Sequence, residues 1–316
     1  MTKSKIFMFF CTISIIPFGI NVLHLFDTPL SYTAAQRTTT IPSTSTAEQN
    51  TNTTSYYLIS AQNQDDILAH NETTHRAPAS TVKLLTGLVA MQSLNEDEVV
   101  KVGSEVQIEN STLGLRSGDT IRVRDLLTAI YLDSANDAAV ALAVKAKGSL
   151  PKFLEGMNQY ALQLGCQNSQ FQTPNGLPAP DQYTTAQDLS KIAVAFTQNK
   201  MLMQYVQEKE GRVEWTSSNG QKKSVQVRNT NEFLGVYPGD EGLKTGTTTE
   251  AGQCLVSYIT RPDGNLILVL LGSKNRYQDT LELLDQGVAA IRTRAALRNL
   301  SSSPEFLIHA PGFYQP

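Results

Sequence analysis

The chain has little of what most metal or histidine-driven sites require. Its 316 residues include three cysteines and four histidines, none grouped at metal-ligand spacing, so no metal or other cofactor is indicated. His24, His70, His75 and His309 lie apart from every polar motif described below, which argues against a Ser-His-Asp arrangement. Neither sign of charge dominates: 26 Lys and Arg face 29 Asp and Glu, a net −3, and this argues against a nucleic-acid or anionic-surface binder. No internal repeat is present.

The sequence does contain three short polar motifs in a fixed order: Ser80-Thr81-Val82-Lys83, Ser134-Ala135-Asn136 and Lys244-Thr245-Gly246. Taken singly, the first two are weak. Ser149-Leu150-Pro151-Lys152 repeats the Ser-x-x-Lys spacing, and Ser93-Leu94-Asn95, Ser217-Ser218-Asn219 and Ser273-Lys274-Asn275 repeat Ser-x-Asn. Context separates them. Ser80 opens an apolar helical run to Met91 entered through Pro78, a residue suited to a first turn, and Lys83 falls three residues on, on the same face. Ser149 begins a polar stretch and reads as a helix cap.

A serine hydroxyl becomes a strong nucleophile only when a base takes its proton. Lys83 can be that base as a free amine, which its ordinary pKa near 10.4 forbids at neutral pH unless burial and a second cation lower it. Lys244 is the expected second cation. Ser134-Ala135-Asn136 lies between helical patterns at 123–132 and 137–145, so it reads as a tight loop whose hydroxyl can relay a proton and whose amide can hold Lys83. Lys244-Thr245-Gly246 follows Gly239-Asp240-Glu241-Gly242 and precedes strand patterns at 253–259 and 266–271. It reads as a sheet's inner edge strand, with Lys244 and Thr245 binding a substrate carboxylate and Gly246 keeping the backbone clear. The backbone N–H groups of Thr247 and Ser80 are the candidate oxyanion hole.

Pro78-Ala79-Ser80-Thr81-x-Lys83, Leu132 to Ala143, Thr173-Pro174-Asn175-Gly176-Leu177-Pro178 and Gly242 to Thr248 resemble the low-molecular-mass penicillin-binding proteins. These are the serine D-alanyl-D-alanine carboxypeptidases of the β-lactamase/transpeptidase-like superfamily. The likeness runs from Ser55 to Val288 and includes Asn229-Thr230-Asn231 and Arg276 to Gly287. It implies Ser80 as acylated nucleophile, Lys83 as general base, Ser134 and Asn136 as proton relay and lysine holder, and Lys244 with Thr245 as carboxylate clamp. The implied partners are peptidoglycan stem peptides ending in D-Ala-D-Ala, with β-lactams as covalent inhibitors. Three departures stand out. Ala135 replaces a common glycine, Thr247 a common histidine, and the 28 residues after Val288 are too few for the second domain and membrane helix many members carry.

Lys3 and Lys5 precede an apolar run from Ile6 to about Phe26, so residues 1–35 are expected to be a cleaved signal peptide or an N-terminal membrane anchor, with the rest exported. Thr33-Ala34-Ala35 is a passable cleavage site. A Thr/Ser-rich linker follows over 36–54, then the catalytic domain over 55–294 and a tail over 295–316. The location is therefore extracytoplasmic, with membrane association only through the N-terminus. Cys11 lies in the leader. Cys254 has a strand-like apolar setting that suits a buried free thiol rather than a bridge to Cys166.

Hairpin-like runs at 55–70, helices from Ser80 through Asn199, strands from Arg212 to Leu271 and a last helix near Arg276 to Arg294 predict an α/β (α+β) sandwich. An antiparallel sheet is flanked by helices, with a helical lobe and the site at the lobe boundary. Removal of the terminal D-alanine is the first function expected. A β-lactamase needs a deacylating glutamate, and Glu155 sits in a helical run, 153–164, at no comparable place. A DD-endopeptidase or transpeptidase uses the same groups. A silent wall-binding protein would be expected to have lost one of them.

Overall fold

The computed structural model describes residues 54–301 apart from residue 109. The leader, most of the linker and the end of the tail lie outside the described residues.

Five strands form the main antiparallel sheet, in the order β2 (Asp66–His70), β1 (Ser55–Ser60), β9 (Leu266–Ser273), β8 (Gly252–Ile259), β7 (Asp240–Thr248). The run Leu266-Ile267-Leu268-Val269-Leu270-Leu271 has no polar face, which fits a central strand covered on both sides. Ile267, Val269 and Leu271 pack with the helical lobe, and Leu266, Leu268 and Leu270 pack with Leu283, Leu284 and Val288 of the last helix, α7 (Arg276–Ser301). Each such side chain, fully buried, contributes about 1.5–3 kcal/mol. Gly287 lets α7 approach, since a Cβ there would lie 2.1 Å from Leu58 Cδ2.

The lobe contains α1 (Lys83–Ala90), α2 (Val123–Tyr131), α3 (Asn136–Lys147), α4 (Leu150–Gln163), α5 (Ala186–Thr197) and α6 (Lys200–Gln207). Its centre is α3. Eight consecutive residues, Asn136 to Ala143, are buried, and the alanines among them let neighbours close in from all sides.

Three details differ from the sequence reading. First, the strands do not all join one sheet. Two three-residue strands inside the expected helical region, β3 (Val99–Lys101) and β4 (Thr120–Arg122), pair with β5 (Glu210–Thr216) and β6 (Lys222–Arg228) in a separate sheet, order β3-β4-β5-β6. Three residues are too short to show alternation. Second, Ser80 lies in a 3-10 turn, Ala79–Val82, ahead of α1 rather than inside it. Third, Ser149 occupies the N-cap position of α4, but its side chain makes no cap bond there. Cys166 and Cys254 are both buried and free.

Candidate active site

Three walls meet at Ser80. The first is the 3-10 turn that carries it. In such a turn residues i and i+3 eclipse, which stacks Lys83 under Ser80 and leaves Lys83 Nζ 2.8 Å from Ser80 Oγ. The backbone is strained here: Ala79, not a glycine, has φ +47°, a left-handed conformation that persists only where its surroundings enforce it. Two glycines supply the enforcement. A Cβ on Gly176 (φ +83°) would lie 1.9 Å from Ala79 O, and one on Gly246 would lie 2.9 Å from both Ala79 Cβ and Ser80 N. The Ala79–Ser80 peptide is thus pinned between a loop and a strand, each of which can approach so closely only without a side chain.

The second wall is the α2–α3 loop. Ser134, at φ +60°, turns its hydroxyl to 3.4 Å from Lys83 Nζ, and Asn136 Oδ1 accepts from that nitrogen at 2.7 Å. Asn136 is itself fixed, its Nδ2 donating to Asn110 O at 2.9 Å and its N–H to Ser111 O at 2.7 Å. The neighbouring Asp137 carboxylate accepts the backbone N–H groups of Leu113, Gly114 and Leu115 at 2.9–3.0 Å. The loop before α5 completes this enclosure of the lysine, its Asn175 carbonyl accepting from Lys83 Nζ at 2.8 Å.

The third wall is β7, the edge of the main sheet, as the motif's context predicts. Lys244 is buried and donates to Thr245 O at 3.2 Å. Thr245 and Thr230 hydroxyls lie 2.8 Å apart. Arg276, the first residue of α7, reaches across: its Nη1 donates to Gly246 O at 2.9 Å and Cys254 O at 3.0 Å, and its Nη2 donates to Thr247 Oγ1. The structure therefore brings together Ser80, Lys83, Ser134, Asn136, Lys244, Thr245, Gly246 and Thr247.

The electrostatics follow from this packing. Burial, and after it the Lys244 charge, hold the Lys83 amine well below the ordinary lysine range, with Asp137 opposing. Burial, and then Arg276, bring Lys244 down to about 7. A neutral lysine has two N–H donors and one lone pair. With the donors satisfied by Asn136 Oδ1 and Asn175 O, the lone pair is left for the Ser80 hydroxyl.

The similar-looking sites go elsewhere. Ser93 donates to the Ala146 carbonyl, Ser217 caps its own hairpin through Asn219, and Ser273 donates to the Asp279 carboxylate. Glu155 is exposed on α4 and accepts from Gln159. Asn175, Gly176 and Arg276 were not named as site residues from sequence, although each lies in a segment that carried the family resemblance. A backbone carbonyl has no side-chain signature, and an arginine thirty residues beyond its partner is one cation among many.

Residues 42–275 match the D-alanyl-D-alanine carboxypeptidase family. Among curated relatives, D-alanyl-D-alanine carboxypeptidase DacD of Salmonella typhimurium is 32% identical over 236 residues, 70% of this chain and 59% of that protein. The D-alanyl-D-alanine carboxypeptidase of Streptomyces sp. strain K15 is 33% identical over 233 residues, 68% of this chain and 80% of that one. The crystal structure of the Streptomyces K15 DD-transpeptidase superposes with a TM-score of 0.70 at 29% identity, over 74% of this chain and 96% of that chain. The chain spans 59% and 57% of the lengths of the first curated relatives it matches, Salmonella DacD and Bacillus subtilis DacF.

Proposed function

Since the chain belongs to the D-alanyl-D-alanine carboxypeptidase family, we propose that it is itself a serine carboxypeptidase. It would remove the terminal D-alanine from peptidoglycan stem peptides and be acylated by β-lactams at the same serine. The observation that carries the reading is the contact of Lys83 Nζ with Ser80 Oγ at 2.8 Å, made by an amine whose two donors are already engaged.

The steps follow from the geometry. Neutral Lys83 takes the Ser80 proton as Oγ bonds to the penultimate carbonyl carbon. The developing oxyanion is met by the backbone N–H groups of Ser80 and Thr247. The C–N bond then breaks, and the proton held by Lys83 passes through the Ser134 hydroxyl to the leaving amine of D-alanine. Water, deprotonated along the same route, attacks the acyl-enzyme and frees Ser80. The substrate's terminal carboxylate is held by Lys244, Thr245 and Thr247, the last tethered by Arg276, and its charge returns a proton to Lys244.

A β-lactamase reading is less well supported. No carboxylate among the described residues hydrogen-bonds to Ser80 or Lys83, and the buried one nearby, Asp137, is occupied by loop N–H groups. Work at the wall places the site outside the cytoplasm, and the N-terminal apolar run is the proposed export signal or anchor. Among the described residues no helix is long and apolar enough to cross a membrane.

The test is release of D-alanine from a stem pentapeptide. Wild type is expected to release it and Ser80→Ala to release none. Release by Ser80→Ala, or none by either, would refute the assignment.

A further inference from the structure

A second concavity lies on the small sheet, separate from the cleft. It is a groove of about 790 Å³ between β4, β5, β6 and the start of α2. Arg122, Arg124, Arg212, Lys222 and Lys223 line it against two carboxylates, Asp125 and Glu214. The lining side chains therefore carry net +3, or +2 with Asp97, which pairs with both Arg122 and Arg124 at the rim, in a chain whose total is −3, so the rest of the molecule is more acidic still. The N-terminal end of α2 adds its partial positive charge to the same place.

The arginines show which anion suits them. Arg212 Nε pairs with the Glu214 carboxylate at 3.0 Å, and Arg124 pairs with that of Asp97 at the rim. Lys222 and Lys223 have no carboxylate partner among the described residues. Lys223 instead lies 5.8 Å from the centre of the Trp215 ring. That ring is only 9% exposed, so it offers no platform on which a nucleic-acid base can stack.

Position links the groove to the cleft. Arg122 and Arg124 stand at the start of α2, and Ser134 follows its end. Nine helical residues separate Arg122 from Ser134 and seven separate Arg124 from it, about 10 to 14 Å of helix at 1.5 Å per residue. A polymer substrate with one stem peptide in the cleft has neighbouring segments within that distance.

We propose that this groove is an accessory binding site for a carboxylate-bearing stretch of the same peptidoglycan polymer whose stem peptide enters the cleft. The inference rests on the function proposed above. It makes the enzyme prefer polymeric over short soluble substrates through KM, with no part in the bond-breaking steps. Neither lysine touches the catalytic groups.

The test compares wild type, Lys222→Glu/Lys223→Glu and a control, Lys152→Glu/Lys200→Glu, which makes the same charge change at exposed positions on α4 and α6. For soluble glycan-linked peptidoglycan fragments, KM should rise about tenfold in the groove variant and stay unchanged in the control. Turnover of a short pentapeptide and penicillin acylation of Ser80 should match wild type in both. Converting the fragments' internal carboxylates to amides, with the terminal D-alanine carboxylate left free for the cleft, should abolish the wild-type preference for polymer. An unchanged polymer KM in the groove variant, an equal rise in the control, or undiminished preference for amidated polymer would overturn the site. Wild type that neither acylates nor turns over pentapeptide would overturn instead the function beneath it.

Discussion

Lys83 and Lys244 are the same residue type, both fully buried and both held below the ordinary lysine range, yet the two sides of the cleft prepare them for opposite tasks. On the helical side Lys83 is surrounded by oxygens from Ser80, Ser134, Asn136 and Asn175, and no carboxylate among the described residues bonds to it. In its neutral form the amine keeps two donors for the carbonyl oxygens of Asn136 and Asn175 and a lone pair for the hydroxyls, Ser80 the nearer at 2.8 Å and Ser134 at 3.4 Å. On the strand side Lys244 has, among the described residues, one hydrogen bond, to the next residue's carbonyl, and its strongest charged neighbour among them is Arg276. It retains donors for an incoming anion. Burial alone does not assign a lysine's role; the acceptors that remain around it do.

The comparison breaks first at Lys83. Lys83→Ala should lower kcat for pentapeptide by about 10²–10⁴-fold, the usual weight of a general base, with KM little changed. Lys244→Ala should act mainly through KM. Steady-state kinetics of both decide the matter, and equal losses in kcat would erase the distinction. Gly176→Ala attacks the support beneath the nucleophile. Its Cβ would collide with the Ala79 carbonyl, so acylation by penicillin should slow about 100-fold, and thermal unfolding should show a loss of about 1–3 kcal/mol from the enforced φ > 0.

A smaller effect sharpens the strand side. With a pKa of about 7 in the free enzyme, Lys244 loses its charge as pH rises through that value, so kcat/KM should fall about tenfold per unit above it. Lys244→Arg keeps the charge and should remove this alkaline limb, read from the pH profile. The smallest effect is on stability. Asp240, at the start of β7, is buried with no hydrogen bond of normal geometry to its oxygens. Burial raises its pKa to about 7, partly opposed by the nearby N–H groups of Gly242 and Gly235. A carboxyl raised on folding stabilises at low pH and loses that contribution as pH rises from its ordinary value through 7. Asp240→Asn should therefore match wild type near pH 4 and exceed it by about 1–3 kcal/mol at pH 8, measured by denaturant unfolding.

Much of this comparison was legible in the sequence because it depends on side chains at short spacing. Ser80 and Lys83 are three apart, Ser134 and Asn136 two apart, and the apolar runs at 253–259 and 266–271 announce the strands beside Lys244. What the sequence left obscure depends on distant backbone. The Asn175 carbonyl, the pinning of Ala79 by Gly176 and Gly246, and the reach of Arg276 to Gly246 each join residues far apart in the chain, and no local periodicity encodes such contacts. The second sheet stayed hidden for the same reason: β3 and β4 exist because longer strands, β5 and β6, extend the pairing beside them.

The central claim, that buried Lys83 is a neutral base for Ser80, is tested most directly by the rate of acylation by a labelled penicillin as a function of pH, with the adduct located by peptide mapping. The account predicts an adduct on Ser80 and, at saturating penicillin, a rate already at its plateau near neutral pH and falling as acid protonates Lys83. A rate still climbing tenfold per unit toward pH 10, the behaviour of an ordinary lysine, or an adduct elsewhere, would contradict it.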